Sequence, residues 1–408
     1  MPMQHGNRPT LSAMARLPYL SARLQGFGTT IFTEMSALAA ETGAVNLGQG
    51  FPDTDGPAEV AQAAIEAIRH GPNQYSPLAG IPDLRLAIAE HQERFWNMIV
   101  DPDTEVLVTA GATEALAASM LALCEPGDDV IVFDPTYDCY GAAIRMAGAT
   151  MRPVVLRPTD DGLFRFDPDE LRAAFSARTR LVLVNTPHNP TGKVFDDAEL
   201  ALIAELCCEH DVLAITDEVY EHLVFDGEHR LLATMPGMAE RTVTVSSGGK
   251  TFSFTGWKIG WASGPAPIIA AIRTAKQFLT FVSGAPLQPA IAVGLRLGDD
   301  YFDGFRSSML AKRDRLCGHL RKAGFDVLET QGTYFATVDI VSAAERVGAP
   351  TDSVAFCLDL PPRAGVVAVP SAVFYQDHSD GERFARFCFA KSDAMLDDAG
   401  QRLVAAFS

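Results

Sequence analysis

Thr242-Val-Thr-Val-Ser-Ser-Gly-Gly-Lys250 is a β-branched run that passes through small residues into a lysine, and Thr251-Phe-Ser-Phe-Thr-Gly-Trp-Lys258-Ile-Gly follows at once. Alternating Val and Thr suit a strand. A lysine at the end of a buried strand sits where an ammonium is costly, so its pKa falls and its amine becomes a nucleophile. That is what an imine-forming lysine requires. The ordinary alternative is a surface lysine on a loop, because Lys is rarely buried unless paired. The neighbouring segments decide between the two.

Working outward, short apolar runs alternate with amphipathic stretches. Glu105-Val-Leu-Val-Thr, Asp129-Val-Ile-Val-Phe, Arg180-Leu-Val-Leu-Val-Asn and Val212-Leu-Ala-Ile-Thr join Thr242-Val-Thr-Val-Ser as expected strands. Helical patterns lie between them, such as Glu114-Ala-Leu-Ala-Ala-Ser-Met-Leu-Ala-Leu. Strands apolar on both faces and separated by helices predict an α/β fold with a largely parallel, doubly covered sheet. Binding groups in such sheets gather beyond the carboxyl ends of the strands. Gly111, Tyr137, Asn189, Asp217 and Lys250 all fall there. From about Asp303 the character changes, with a basic helix expected over 307–322 and then short strands, which reads as a second domain. Pro361-Pro362 and Gly264-Pro-Ala-Pro267 read as loop punctuation.

Several strand ends carry recognisable chemistry. In Val108-Thr-Ala-Gly-Ala-Thr-Glu-Ala-Leu, small residues precede a helix expected to start at Thr113 or Glu114. Such a turn either binds phosphate through backbone N–H groups or is a plain helix start with a Thr cap. Asn185-Thr-Pro-His-Asn-Pro-Thr-Gly192 has two Xaa-Pro steps that stiffen a turn and aim Asn189 at the strand ends. Ile215-Thr-Asp-Glu-Val-Tyr220 places Asp217 at a depth where it needs a cation, such as a protonated pyridine, unless it merely caps a helix. Tyr220 is spaced to add a hydrogen bond beside it. Asp134-Pro-Thr-Tyr137-Asp-Cys-Tyr140 offers aromatics to a flat ring. In Phe384-Ala-Arg386-Phe-Cys-Phe an arginine interrupts an apolar strand, as a carboxylate fork or a structural ion pair.

Composition narrows the function. The 408 residues suffice for a large domain plus a smaller one. With 48% hydrophobic and 21% charged residues the chain is ordinary for a soluble protein, and its longest apolar runs are strand-length, so no membrane partner is expected. A formal charge of -18 argues against nucleic acid. The seven cysteines are scattered, which suits free thiols in the cytoplasm, and the nine histidines show no HExxH-like pair, so no metal site is expected.

Together these segments resemble the fold type I pyridoxal-phosphate enzymes of the class I aminotransferase group, from about Gly26 to Phe407. Phe32-Thr-Glu-Met-Ser-Ala-Leu-Ala, Val45-Asn-Leu-Gly-Gln-Gly-Phe-Pro-Asp53 and Lys250-Thr-Phe-Ser-Phe-Thr-Gly-Trp-Lys258 are similar to the kynurenine/glutamine and methionine branch, and to actinobacterial N-succinyldiaminopimelate aminotransferases of lysine biosynthesis. The resemblance implies a large domain (54–302) with a mostly parallel seven-stranded sheet. It implies a smaller α+β domain (303–408) joined by the N-terminal arm (1–53). It implies pyridoxal 5'-phosphate as cofactor, amino acid and 2-oxo acid substrates in a ping-pong transamination, and a cytoplasmic homodimer with shared active sites. A cysteine-S-conjugate β-lyase is the alternative.

Residue by residue, the resemblance makes Lys250 the lysine that bonds the cofactor and moves the proton, and Asp217 the partner of the ring nitrogen. Asn189 and Tyr220 would bind the ring oxygen, and Tyr137 would stack on the ring. Gly111, Ala112, Thr113, Ser247 and Lys258 would hold the phosphate, with Tyr75 reaching that of the other subunit. Arg386 would clamp the substrate carboxylate with Gly50 and Asn189, and Phe281 would line the neighbouring pocket. Lys258 stands where the wider group has an arginine, which replaces a bidentate contact by a point charge.

Overall fold

The computed structural model describes residues 18–28 and 30–408. Its central sheet has strands β1 (Val106–Thr109), β2 (Asp129–Asp134), β3 (Thr150–Val155), β4 (Thr179–Asn185), β5 (Leu213–Asp217), β6 (Thr242–Ser247) and β7 (Gly260–Ser263). They lie in the order β1-β7-β6-β5-β4-β2-β3, a seven-stranded sheet in which only β7 runs against its neighbours.

Period-two alternation explains why the strands are apolar throughout. Val130, Val132, Leu181, Leu183, Ile215 and Val243 enter one core, beneath Leu116, Ile144 and Ile272 of the covering helices. Ile131, Phe133, Val182, Val184 and Ala214 enter the opposite core, against Leu200 and Ile203. A polar residue on either face would be buried, so the sheet's ends are where polar chemistry collects.

A second sheet is built from Asp326–Val327, Phe335–Asp339, Phe384–Cys388 and Val369–Pro370. Its core also takes in Met35, Ala39 and Leu47 from the N-terminal segment. Val45–Asn46 pairs in parallel with Val366–Val367, which ties that segment to the C-terminal part.

Two local expectations are corrected. The basic helix runs over Asp299–Lys322 and so begins well before Ser307, because Gly298 opens it and Asp299 and Asp300 in the first turn favour the positive end of the helix dipole. The expected boundary at 303 falls inside it. Pro361 and Pro362 lie within helix Ser353–Ala364 and not in a loop. Phe356, Cys357, Leu360, Pro361 and Ala364 are buried together, and that apolar face outweighs the lost proline donors in the last turns.

Candidate active site

The carboxyl ends of β4, β5 and β6 open into a cavity of about 270 Å³. Lys250 reaches it from the short helix Gly248–Thr251 that follows β6. Gly248 packs closely there, since a Cβ would stand 2.8 Å from Ile291 Cδ1. The Lys250 amine donates to Tyr334 Oη at 2.9 Å and to the Gly50 carbonyl at 3.4 Å. Burial pulls its pKa down to about 8, against the opposing pull of Cys388 and Asp217. The lysine at the strand end thus faces the cavity as a buried amine.

Asp217 is the last residue of β5 and lies opposite Asn185 of β4 in the register. Its Oδ2 accepts from Tyr140 Oη at 2.7 Å and its Oδ1 from the Val219 N–H at 3.4 Å. Burial raises its pKa to about 6. Among the described residues no Lys, Arg or His forms an ion pair with it, so it is a buried carboxylate that lacks a cation.

The turn after β4 has cis peptides at Thr186-Pro187 and Asn189-Pro190. The Asn189 N–H donates to Asn185 Oδ1 at 2.7 Å, and Asn189 Oδ1 accepts from Arg386 Nη1 at 2.7 Å. This fixes the amide so that its NH₂ remains the donor for the cavity. Arg386 is 1% exposed, with Nη2 3.3 Å from the Gly48 carbonyl and its guanidinium 3.9 Å above the Phe335 ring. Its Nε has no partner, and among the described residues no carboxylate pairs with it. The structural ion pair that the sequence left open is not formed.

At the far end of the cavity, helix Gly111–Leu123 points its N-terminus inward. It starts at Gly111 and not at Thr113 or Glu114, because the Glu114 carboxylate reaches back to accept the Ala110 N–H at 2.6 Å. Gly111 has φ +74°, and a Cβ on it would lie 3.0 Å from Lys258 Nζ. A Cβ on Gly260 would lie 2.6 Å from Gly111 C, so β7 and the start of this helix approach closely only because residue 260 is glycine. Ala112, Thr113, Ser247 and Thr255 complete this end. A helix N-terminus with an ammonium beside it is an anion site.

Tyr137 and Tyr220 both line the cavity. Tyr137 packs edge-on against Tyr140 at 5.8 Å, and Tyr220 edge-on against Tyr334 at 5.1 Å. Tyr75 and Phe281 do not line it. They pack on each other at 5.5 Å, with Tyr75 83% and Phe281 44% exposed.

Residues 42–403 match the family described as Aminotransferase class I and II. The chain belongs to that family. It is 49% identical over 392 residues to the Mycobacterium tuberculosis protein named "Probable N-succinyldiaminopimelate aminotransferase DapC", spanning 94% of this chain and 97% of that one. A solved structure of N-succinyldiaminopimelate aminotransferase from that organism matches with a TM-score of 0.91, covering 95% of this chain and all 100% of the other. Methionine aminotransferase of Escherichia coli is 42% identical, covering 94% of this chain and 97% of its own length. Kynurenine--oxoglutarate transaminase 3 of mouse is 38% identical, covering 95% and 90%.

This aminotransferase has the α/β architecture of fold type I, and pyridoxal phosphate is its cofactor. The residues fit that group. Gly111 keeps the space beside Lys258 Nζ free of a Cβ at the helix N-terminus, Asp217 lacks the cation a pyridinium supplies, and Lys250 is a buried amine of lowered pKa. Its substrates are an amino acid and a 2-oxo acid. The relatives named above are transaminases, so the β-lyase alternative is not favoured.

Sequence reasoning missed Tyr334 and Phe335, and it quoted Tyr140 without its role. Tyr140 holds Asp217 across 77 residues of sequence, and Tyr334 meets Lys250 across 84. Nothing in a linear pattern signals either pairing.

Among the described residues, one group of metal-capable side chains lies outside the cavity lining. The ligand atoms of His91, Glu221 and His222 come within 4.8 Å of one another. The two His Nε2 atoms share a hydrogen bond of 2.8 Å. The Glu221 oxygens accept from Ser246 Oγ at 2.6 Å and Trp96 Nε1 at 2.7 Å. No helix of the described residues is long and apolar enough to cross a membrane.

Proposed function

We propose that this aminotransferase works by a ping-pong cycle in which an L-amino acid donor leaves as its 2-oxo acid before a 2-oxo acid acceptor enters. The donor of first choice is N-succinyl-diaminopimelate, which would place the enzyme in lysine biosynthesis. The 49% identity to the mycobacterial protein supports that choice. The observation that carries the amino-acid chemistry is Arg386, a buried guanidinium with no carboxylate of its own. A substrate α-carboxylate supplies the missing charge in bidentate geometry.

When bound, pyridoxal phosphate supplies an electrophilic carbon and a protonated ring that draws electrons from the substrate Cα. The protein does the rest. Gly111, Ala112, Thr113, Ser247 and Lys258 would hold the phosphate. Asp217 would keep a proton on the ring nitrogen, with Tyr140 holding Asp217 in place. Asn189 and Tyr220 would donate to the ring oxygen, and Tyr137 would lie against the ring. Lys250, neutral above about pH 8, takes the proton from Cα and returns it on the other side of the transfer. Arg386 and Asn189 hold the carboxylate so that the Cα–H faces that amine.

A second reading of the donor rests on the cavity wall. Phe32, Phe51 and Phe335 line it, and its cations Lys250, Lys258 and Arg386 are all given other roles above, which leaves none for a distal carboxylate. That wall suits methionine, kynurenine or glutamine-type donors. A donor panel followed by cofactor absorbance separates the readings. A preference of at least about tenfold in kcat/KM for N-succinyl-diaminopimelate supports the first; equal or better rates with methionine and kynurenine support the second.

We take the enzyme to be a cytoplasmic homodimer. The exposed patch of Tyr75, Phe278, Leu279 and Phe281 supports this, since a second copy would cover it and Tyr75 would reach the partner's phosphate site. A monomer by light scattering at micromolar concentration would refute the shared site.

A further inference from the structure

Tyr334 has no part in the mechanism above, yet it is the hydroxyl nearest the reacting amine. It is 0% exposed and immediately precedes strand Phe335–Asp339. Its Oη donates to the Gly50 carbonyl at 2.5 Å. The same oxygen accepts from Lys250 Nζ at 2.9 Å. A phenol has one proton, and the short contact assigns it to Gly50, with Tyr220 the other side chain that shares a hydrogen bond with this hydroxyl. Tyr334 therefore meets Lys250 with a lone pair and can only accept. Burial holds its own pKa well above the usual tyrosine value, so it does not ionise in the working range.

The acceptor at Gly50 is fixed equally firmly. A Cβ on Gly50 would lie 2.5 Å from Phe335 Cζ, so the carbonyl and the Tyr334-Phe335 pair form one close-packed unit. Gly50 O is also 3.4 Å from Lys250 Nζ. A neutral lysine amine has two N–H bonds and one lone pair. With both hydrogens directed to Tyr334 Oη and Gly50 O, and Cε as the third substituent, the lone pair takes the remaining vertex of the nitrogen.

We propose that Tyr334 is a positioning residue for Lys250: its hydroxyl, pinned by Gly50, orients the free amine so that the lone pair is presented to the substrate Cα–H. The proposal rests on Lys250 being the reacting amine. Proton transfer needs the base within hydrogen-bond reach and correctly aimed, and a loosely rotating amine spends most of its time misdirected.

The test is Tyr334→Phe, which keeps the buried ring and removes the hydroxyl. In the holoenzyme, kcat is expected to fall about tenfold with KM within about twofold, and the isotope effect on a Cα-deuterated donor to rise. In the cofactor-free protein, competitive labelling of Lys250 against pH is expected to give an amine pKa lower by about half a unit to one unit, because the ammonium loses an acceptor. The other charged or titratable groups around Lys250, namely Cys388, Asp217, Lys258 and Arg386, are unchanged in this variant, while Tyr220 loses its hydrogen bond to Tyr334. Unaltered kcat, isotope effect and labelling profile would overturn the proposal. So would a parallel loss of cofactor absorbance and melting temperature, which would mark Tyr334 as structural. Lys250→Ala, measured alongside, keeps the two readings apart: multiple turnover in that variant would remove Lys250 itself, whatever Tyr334 does.

Discussion

Two buried cations in this enzyme invite comparison. Lys193 is 4% exposed and Arg386 1%, and both sit near phenyl rings, Phe195 at 4.9 Å and Phe335 at 3.9 Å. Lys193 donates to both oxygens of Glu199 at 2.7 Å. That carboxylate also closes the capping box of helix Asp197–Glu209 with Asp196. The loop is electrically complete. Arg386 has only a neutral amide and a carbonyl, with Nε unpartnered. A buried charge with its own counter-ion belongs to the fold; one without it is held for a ligand, because leaving it unpaired costs stability that no local contact returns. Asp217 and Lys250 are on the Arg386 side of that divide.

The largest effect falls on Lys250. Lys250→Ala should reduce multiple turnover by at least about 10⁴-fold while leaving the melting temperature of the cofactor-free protein unchanged or higher. Turnover within tenfold of the parent would break the comparison at its root. Arg386→Met comes next. It should raise KM for amino acids about 100-fold, the loss of one charge-assisted fork, and should not lower stability. Lys193→Met should do the reverse. Breaking that closed pair costs about 3 kcal/mol, read as a shift in urea midpoint at constant slope, while kcat/KM in the folded enzyme stays within about twofold. If Arg386→Met proved the destabilising one and Lys193→Met the inactive one, the distinction between complete and incomplete charges would be wrong.

What could be read in advance follows the same division. The runs at β2, β4 and β5 announce themselves because each residue is buried on one face or the other. β3 does not, since Thr150–Pro153 at the sheet's edge are exposed or half-buried, and β7 spans only Gly260–Ser263. Residues that follow strands, such as Asp217, Asn189 and Lys250, were legible because the architecture assigns that position to function. Their partners were not. Tyr140 and Tyr334 act through tertiary contacts that the chain's order does not encode, and the missing counter-ion of Arg386 is a property of space.

The smallest effect lies in the pH dependence of the cofactor-free protein, where the incomplete charges become a stability signature. Asp217 has its pKa raised to about 6 by burial, above that of an unfolded carboxylate near 4. Between those values the native state holds more protons than the unfolded one, so stability falls as pH rises from about 4 to about 6. Lys250, lowered to about 8 from an ordinary value near 10, works in the other direction: the unfolded state holds more protons above pH 8, so stability recovers as pH rises toward 10. The two groups together cost most between pH 6 and 8. Asp217→Asn should therefore raise stability by about 2 kcal/mol at pH 7 and have no effect at pH 4, even though it cripples proton abstraction in the holoenzyme. Denaturation at the two pH values measures the difference. A variant less stable than the parent at pH 7, with the loss shrinking at pH 4, would mean that Asp217 already has a counter-ion within the chain, and would move it to the side of Lys193.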